Sequence, residues 1–97
     1  MSQNRASKKV VVENEQGLHA RPADQFVRCA AKFESEIAIT KDGQRIDGKS
    51  IFDVLTLAAV KGTELEIEAV GSDAESALEE LVKLVQSQFA TDETVEN

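Results

Sequence analysis

Glu64-Leu65-Glu66-Ile67-Glu68-Ala69-Val70 alternates acidic and apolar residues through Ala69. Successive side chains of a strand point to opposite faces, so Leu65, Ile67 and Ala69 share one face and the three Glu share the other. Such a strand belongs to a sheet that is covered on one side and wetted on the other. Upstream, Glu36-Ile37-Ala38-Ile39-Thr40-Lys41 alternates in the same way, with Ile37 and Ile39 inward. Asp42-Gly43 then marks a tight hairpin, and Gln44 to Asp47 returns as a short strand around Ile46. Val10-Val11-Val12, within Lys8 to Glu13, supplies a fourth, β-branched strand.

Helical spacing fills the gaps. From Ala20 onward, Ala20, Ala23, Val27, Ala30 and Ala31 fall on one face, with Phe26 and Phe33 at its margin and Arg21, Gln25, Arg28 and Lys32 elsewhere. Pro22 suits the first turn, where its missing N–H costs nothing. Ser50 with Asp53 three residues on predicts a capped short helix over Ile51 to Ala59. Gly71-Ser72-Asp73 precedes the clearest helix, with Ala74, Ala77, Leu78, Leu81, Val82, Leu84, Val85 and Phe89 at helical spacing. The order is βαββαβα: an α+β domain with a four-stranded, mostly antiparallel sheet and three helices on one side. Residues 1–7 read as a flexible N-terminal tail, 8–89 as the domain and 90–97 as an acidic C-terminal tail.

Composition narrows the function. At 97 residues the chain is one small domain, and the single Cys29 excludes a disulfide scaffold. No uncharged apolar run is long enough to cross a membrane, and the start has no apolar stretch typical of a secretory signal, so the expected compartment is cytoplasmic, without membrane insertion. A net charge of −7 argues against nucleic acid as a partner. That charge is uneven. Residues 1–50 hold nine Lys/Arg and seven Asp/Glu, whereas residues 51–97 hold two and eleven. The first half therefore presents the cations.

With one histidine, His19, a His-pair metal site is impossible, and His19 with Cys29 is not a ligand set, so no metal is expected. His19 stands between a turn glycine, Gly17, and Pro22, at a helix entrance. A surface histidine without a role would look the same by position. Yet a helix start offers unpaired N–H donors and the positive end of the dipole, a ready site for an anion. Arg21 adds a cation with forked donors. An imidazole beside such a cradle can accept a phosphoryl group. Asp24 reads as a first-turn carboxylate favourable to the helix dipole.

Gly17-Leu18-His19-Ala20-Arg21-Pro22-Ala23 resembles the active-site segment of HPr, the histidine-containing phosphocarrier family of the bacterial phosphotransferase system. The likeness extends to Phe26-Val27, Ser35-Glu36-Ile37, Gly48-Lys49-Ser50-Ile51, Thr56-Leu57 and Lys61-Gly62-Thr63, over roughly residues 8–89. It implies an open-faced β-sandwich, with the element order already read from the residues. It implies His19 as phosphoryl acceptor through Nδ1 from enzyme I charged by phosphoenolpyruvate, Arg21 stabilising the phosphoryl group, and onward transfer to IIA-type proteins, with no cofactor and no turnover by the chain alone. Ser50 matches the position that an ATP-dependent HPr kinase/phosphorylase modifies in many relatives, although a plain helix cap accounts for it equally well. Asp53 places a carboxylate close to that position. Ile51, Phe52 and Leu55, rimmed by Arg21, Arg28 and Lys49, form the expected docking surface, with Val54 and Leu57 in the core. The competing readings are a regulatory adaptor of the same fold acting through Ser50, and a plain interaction domain in which the His-Ala-Arg-Pro order is chance. An autonomous enzyme fits worst, because a lone histidine lacks an acid partner.

Overall fold

The computed structural model describes residues 4–89. Its elements are β1 (Arg5–Val11), α1 (Ala20–Ala30), β2 (Glu36–Lys41), β3 (Gln44–Asp47), α2 (Ile51–Thr56), β4 (Glu64–Val70) and α3 (Ala74–Gln86). The sheet order is β1-β4-β2-β3, and every neighbouring pair is antiparallel. The alternating strand is thus interior to the sheet, with Ile67 opposite Lys8 on one side and Ile39 on the other. Leu65, Ile67, Ala69, Ile37 and Ile39 are buried under the helices. At the hairpin, Asp42 and Gly43 both have positive φ, 49° and 83°, the twist that joins adjacent antiparallel strands in two residues.

Four local readings change. β1 begins at Arg5, inside the expected tail, because the backbone of Arg5 to Ser7 pairs with Glu68 to Val70. Those three residues are polar or small, so no apolar alternation announces them; residues 1–3 and 90–97, the rest of the two tails, lie outside the described residues. In α1 the buried stripe is Pro22, Ala23, Phe26 and Ala30, while Ala20 and Ala31 are exposed. The large Phe26 ring, rather than the alanines around it, decides which face turns inward. α2 stops at Thr56 instead of Ala59. Finally, Glu68 on the open face is not simply solvated. Its side chain is 13% exposed and lies between Arg5 on β1 and Arg45 on β3, which reaches it across β2 at 2.5 Å.

The helix ends are pinned by polar contacts. Asp73 is the N-cap of α3 through its backbone only. Its carboxylate accepts from the Glu34 amide at 2.9 Å, the Ser35 amide at 3.0 Å and the Ser35 hydroxyl at 2.5 Å. The start of α3 is therefore tied to the segment just past α1, and the two helices run antiparallel. The Lys49 ammonium donates to the Phe33 carbonyl at 2.7 Å, tying the start of α2 to the same segment. Lys41 at the end of β2 donates to the Leu57 carbonyl at 2.7 Å, meeting one of the orphan carbonyls at the end of α2.

The Ser35 hydroxyl, followed by the Glu34 amide, holds the Asp73 carboxyl below its ordinary value of 3.8. The folded state therefore prefers the ionised form, and the resulting stability is present above the unfolded value and lost as pH falls through the lower folded one. Asp73→Asn is expected to lower the urea midpoint at neutral pH, with the gap to the native chain closing below about pH 4. A gap that stays constant with pH would assign the effect to shape rather than charge.

Candidate functional site

Residues 12–18 form a loop whose shape comes from one glycine. Gly17 has φ +69°, and a Cβ there would lie 2.3 Å from the Ala59 carbonyl oxygen and 2.8 Å from the Val60 Cα. That close approach lets the Leu18 amide donate to the Ala59 carbonyl at 2.8 Å, with the Leu18 side chain buried. Further bonds lace the same two loops: Val12 amide to Thr63 carbonyl at 2.9 Å, Gly62 amide to Val12 carbonyl at 2.7 Å, and the Lys61 ammonium to Glu15 at 3.2 Å. On the other side, Ala58 adopts φ +50°, a left-handed conformation unfavourable for a residue with a Cβ. It turns the chain out of α2 so that the next carbonyl, that of Ala59, meets Leu18.

His19 follows directly. It is the N-cap of α1, with φ −82° and ψ −169°, and its carbonyl accepts the Ala23 amide at 3.0 Å. Its imidazole makes no capping bond and the residue is exposed. In this first turn the amides of Ala20 and Arg21 have no intrahelical acceptor, and Pro22 has no amide to satisfy. Arg21, also exposed, makes no ion pair among the described residues. An imidazole, a guanidinium and two unspent amides thus share one helix turn. Among the described residues no three His, Cys, Asp or Glu side chains come together as metal ligands do.

The other expected site residues separate into two groups. The Leu18–Ala59 bond brings the end of α2 to the entrance of α1, and this side of α2 is apolar: Phe52 is 78% exposed, Leu55 37% and Val60, beyond the helix, 65%. Ile51 is half-buried, while Val54 and Leu57 are in the core as expected. Ser50 and Lys49 sit at the other end of α2, beside Phe33, separated from the His19 end by the length of that helix, about 9 Å. The Ser50 hydroxyl accepts the Asp53 amide at 3.2 Å, the expected cap, but the Asp53 carboxylate turns to the Asp47 amide at 3.3 Å. Lys49 is not a free rim cation, since its ammonium is held by Phe33. Asp24 lies past the first turn and pairs with Arg28 at 2.8 Å.

The polypeptide matches the family model described as the PTS HPr component phosphorylation site over residues 6–87. The chain belongs to the HPr family. It is 39% identical over 84 residues to the phosphocarrier protein HPr of Neisseria meningitidis, covering 87% of this chain and 94% of that one. It is 42% identical over 80 residues to the HPr-like protein Crh of Bacillus subtilis, covering 82% and 94%. The crystal structure of HPr-C-His from Thermoanaerobacter tengcongensis superposes with a TM-score of 0.86 at 37% identity, covering 89% of this chain and 97% of that one. The fold is the open-faced β-sandwich of HPr, and the role is that of a phosphocarrier of the phosphotransferase system.

Against that family role, Ala58 to Val60 are the part of the site that sequence reading missed. Their composition continues the helical pattern of α2, and nothing in it announces a left-handed Ala58. The two strained positions make opposite predictions. Ala58→Gly relieves the left-handed cost against a smaller loss of chain stiffness and is expected to raise unfolding free energy by about 0.5–1 kcal/mol. Gly17→Ala drives a Cβ into the Ala59 backbone at positive φ and is expected to lower it by about 2 kcal/mol or more. Urea denaturation of the two variants checks both signs.

Proposed function

We propose that His19 is the phosphoryl acceptor, that enzyme I charged by phosphoenolpyruvate is the donor, and that IIA-type proteins receive the group. The observation that carries this reading is the uncapped, exposed imidazole at the start of α1. The lone pair of Nδ1 attacks phosphorus; the new P–N bond forms as the bond from phosphorus to the enzyme I donor atom breaks. The Arg21 guanidinium and the amides of Ala20 and Arg21 face the charge that the phosphoryl oxygens bring. Because these donors are already oriented by the Gly17 turn and by Pro22, little reorganisation accompanies transfer. The chain acts as carrier rather than catalyst, and chemistry beyond the transfer lies with its partners, in the cytoplasm.

The exposed Phe52, with Leu55 and Ile51, is the apolar centre of the partner surface, and Arg21 and Arg28 give it a basic side; Lys49 contributes through position more than charge. Incubation with enzyme I and phosphoenolpyruvate is expected to give an acid-labile, base-stable phosphoryl adduct on the native chain. His19→Ala is expected to give none, while retaining the native urea midpoint because the side chain is exposed. An acid-labile adduct persisting on His19→Ala would overturn the assignment.

Ser50 is proposed as a second, regulatory phosphorylation site for an HPr kinase/phosphorylase. The support is the family membership shared with Crh and the place of Ser50 at a helix N-terminus, which tolerates a phosphate. Asp53 lies against that phosphate and opposes it, so neutralising Asp53 should help the modification. With such a kinase and ATP, Ser50 is expected to be modified more slowly in the native chain than in Asp53→Asn, as followed by mass spectrometry. Absence of any adduct on Ser50 in both would remove the regulatory role.

A further inference from the structure

The turn that precedes His19 is closed by a side chain, that of Asn14, which is half-buried in the 12–18 loop. Its Nδ2 donates to the Gly17 carbonyl at 2.6 Å, and its backbone carbonyl accepts the Gly17 amide at 3.1 Å. Main chain and side chain thus both close the turn Asn14-Glu15-Gln16-Gly17 on the same residue. Chemistry fixes which atom of the amide faces Gly17. Turned over, Oδ1 would meet the Gly17 carbonyl oxygen at 2.6 Å, two acceptors with no proton between them.

This orientation leaves Oδ1 buried with no donor among the described residues. A buried acceptor without a partner is destabilising, and a small apolar side chain would avoid that cost. What the side chain gains in return is its hold on Gly17. That hold falls at a sensitive place. The Gly17 carbonyl and the Leu18 amide belong to one planar peptide unit. The Leu18 amide donates to the Ala59 carbonyl at 2.8 Å, so the unit is gripped at its oxygen by Asn14 and at its nitrogen by Ala59. Gly17 has φ +69° and no Cβ to restrict the rotation of that unit. The peptide unit that follows carries the His19 amide. The tilt of the Gly17–Leu18 unit therefore sets the direction in which the chain enters α1. The imidazole makes no capping bond, so its placement is inherited from this backbone.

We infer that Asn14 is a positioning residue for phosphoryl transfer. It touches neither the phosphoryl group nor the imidazole, and it acts by locking the Gly17–Leu18 peptide that aims His19. This role rests on the proposed reading of His19 as phosphoryl acceptor.

The test is rapid-quench transfer from preformed phospho-enzyme I to the full-length native chain, Asn14→Ala and Asn14→Asp. Each curve gives a saturating rate and a half-saturating concentration. Both variants remove the donor to Gly17; Asn14→Asp keeps the size of the side chain, and Asn14→Ala also removes the buried Oδ1. The saturating rate is expected to fall about tenfold or more in both, because small misplacements of a reacting group are costly. The half-saturating concentration is expected to stay at the native value, since Phe52, Leu55 and Arg28 are untouched. Asn14→Ala is expected to keep a urea midpoint close to native. Its Leu18 amide is expected to exchange with solvent several-fold faster, while that of Ile67 in β4 is unchanged. A native saturating rate in Asn14→Ala would overturn the role of Asn14 alone. So would a rate loss accompanied by weaker saturation and faster exchange at Ile67, which would mark a general loosening of the fold. A native chain inert towards phospho-enzyme I would overturn the phosphoryl reading and this role with it.

Discussion

Leu65, Ile67 and Ala69 line the inner side of a strand that has a neighbour on each edge, and their removal from water is the constraint that organises the molecule. Each large apolar side chain so buried contributes about 1.5–3 kcal/mol. A domain of this size has few such residues, and this sheet face buries its own under one layer of helices. Phe26, Val54, Leu57, Leu81 and Val85 descend onto that face from α1, α2 and α3. Because all three helices lie on one side, their ends meet at the two edges of the same layer, and there the candidate site residues gather.

Polar contacts then decide how those ends meet. At one end Asp73 and Lys49 hold the starts of α3 and α2 against the segment that follows α1. At the other, Leu18 bonds to Ala59 and sets His19 at the opening of α1. The hydrophobic layer fixes where the helices lie, and these contacts fix their direction and axial position. His19 benefits from the second: its imidazole is free because the cap position is held through backbone bonds, so the side chain has no structural duty.

Charge is distributed with the same economy. The negative excess lies on the open face of the sheet, along α3 and in residues 90–97, and the cations line α1. Glu68 shows how the fold redistributes what composition counts: it is held between Arg5 and Arg45, so part of the apparent surface charge is neutralised across three strands. Arg28 is likewise spent on Asp24, a pairing readable from their four-residue spacing. Arg21 alone of the cations nearest His19 remains uncommitted among the described residues.

The residues by themselves determined the strands, the hairpin turn, the order of the elements and the place of His19 at a helix start, because each of these follows from interactions within a few positions of the chain. Period-two alternation, Asp42-Gly43, Pro22 and the Ser50 cap are local, and the structure keeps them. Tertiary structure decided what depends on a distant partner. The first three residues of β1 are strand only because β4 lies beside them. The Phe26 stripe faces inward because a ring fills the core better than small alanines. Asp73 caps α3 with its backbone while its carboxylate goes to Ser35, 38 residues away in sequence. Lys49 turns from the rim to Phe33, and Ala58 accepts a left-handed backbone so that Ala59 can reach Leu18. Local propensity is small per residue, and a buried contact or hydrogen bond between distant segments outweighs it wherever the two disagree.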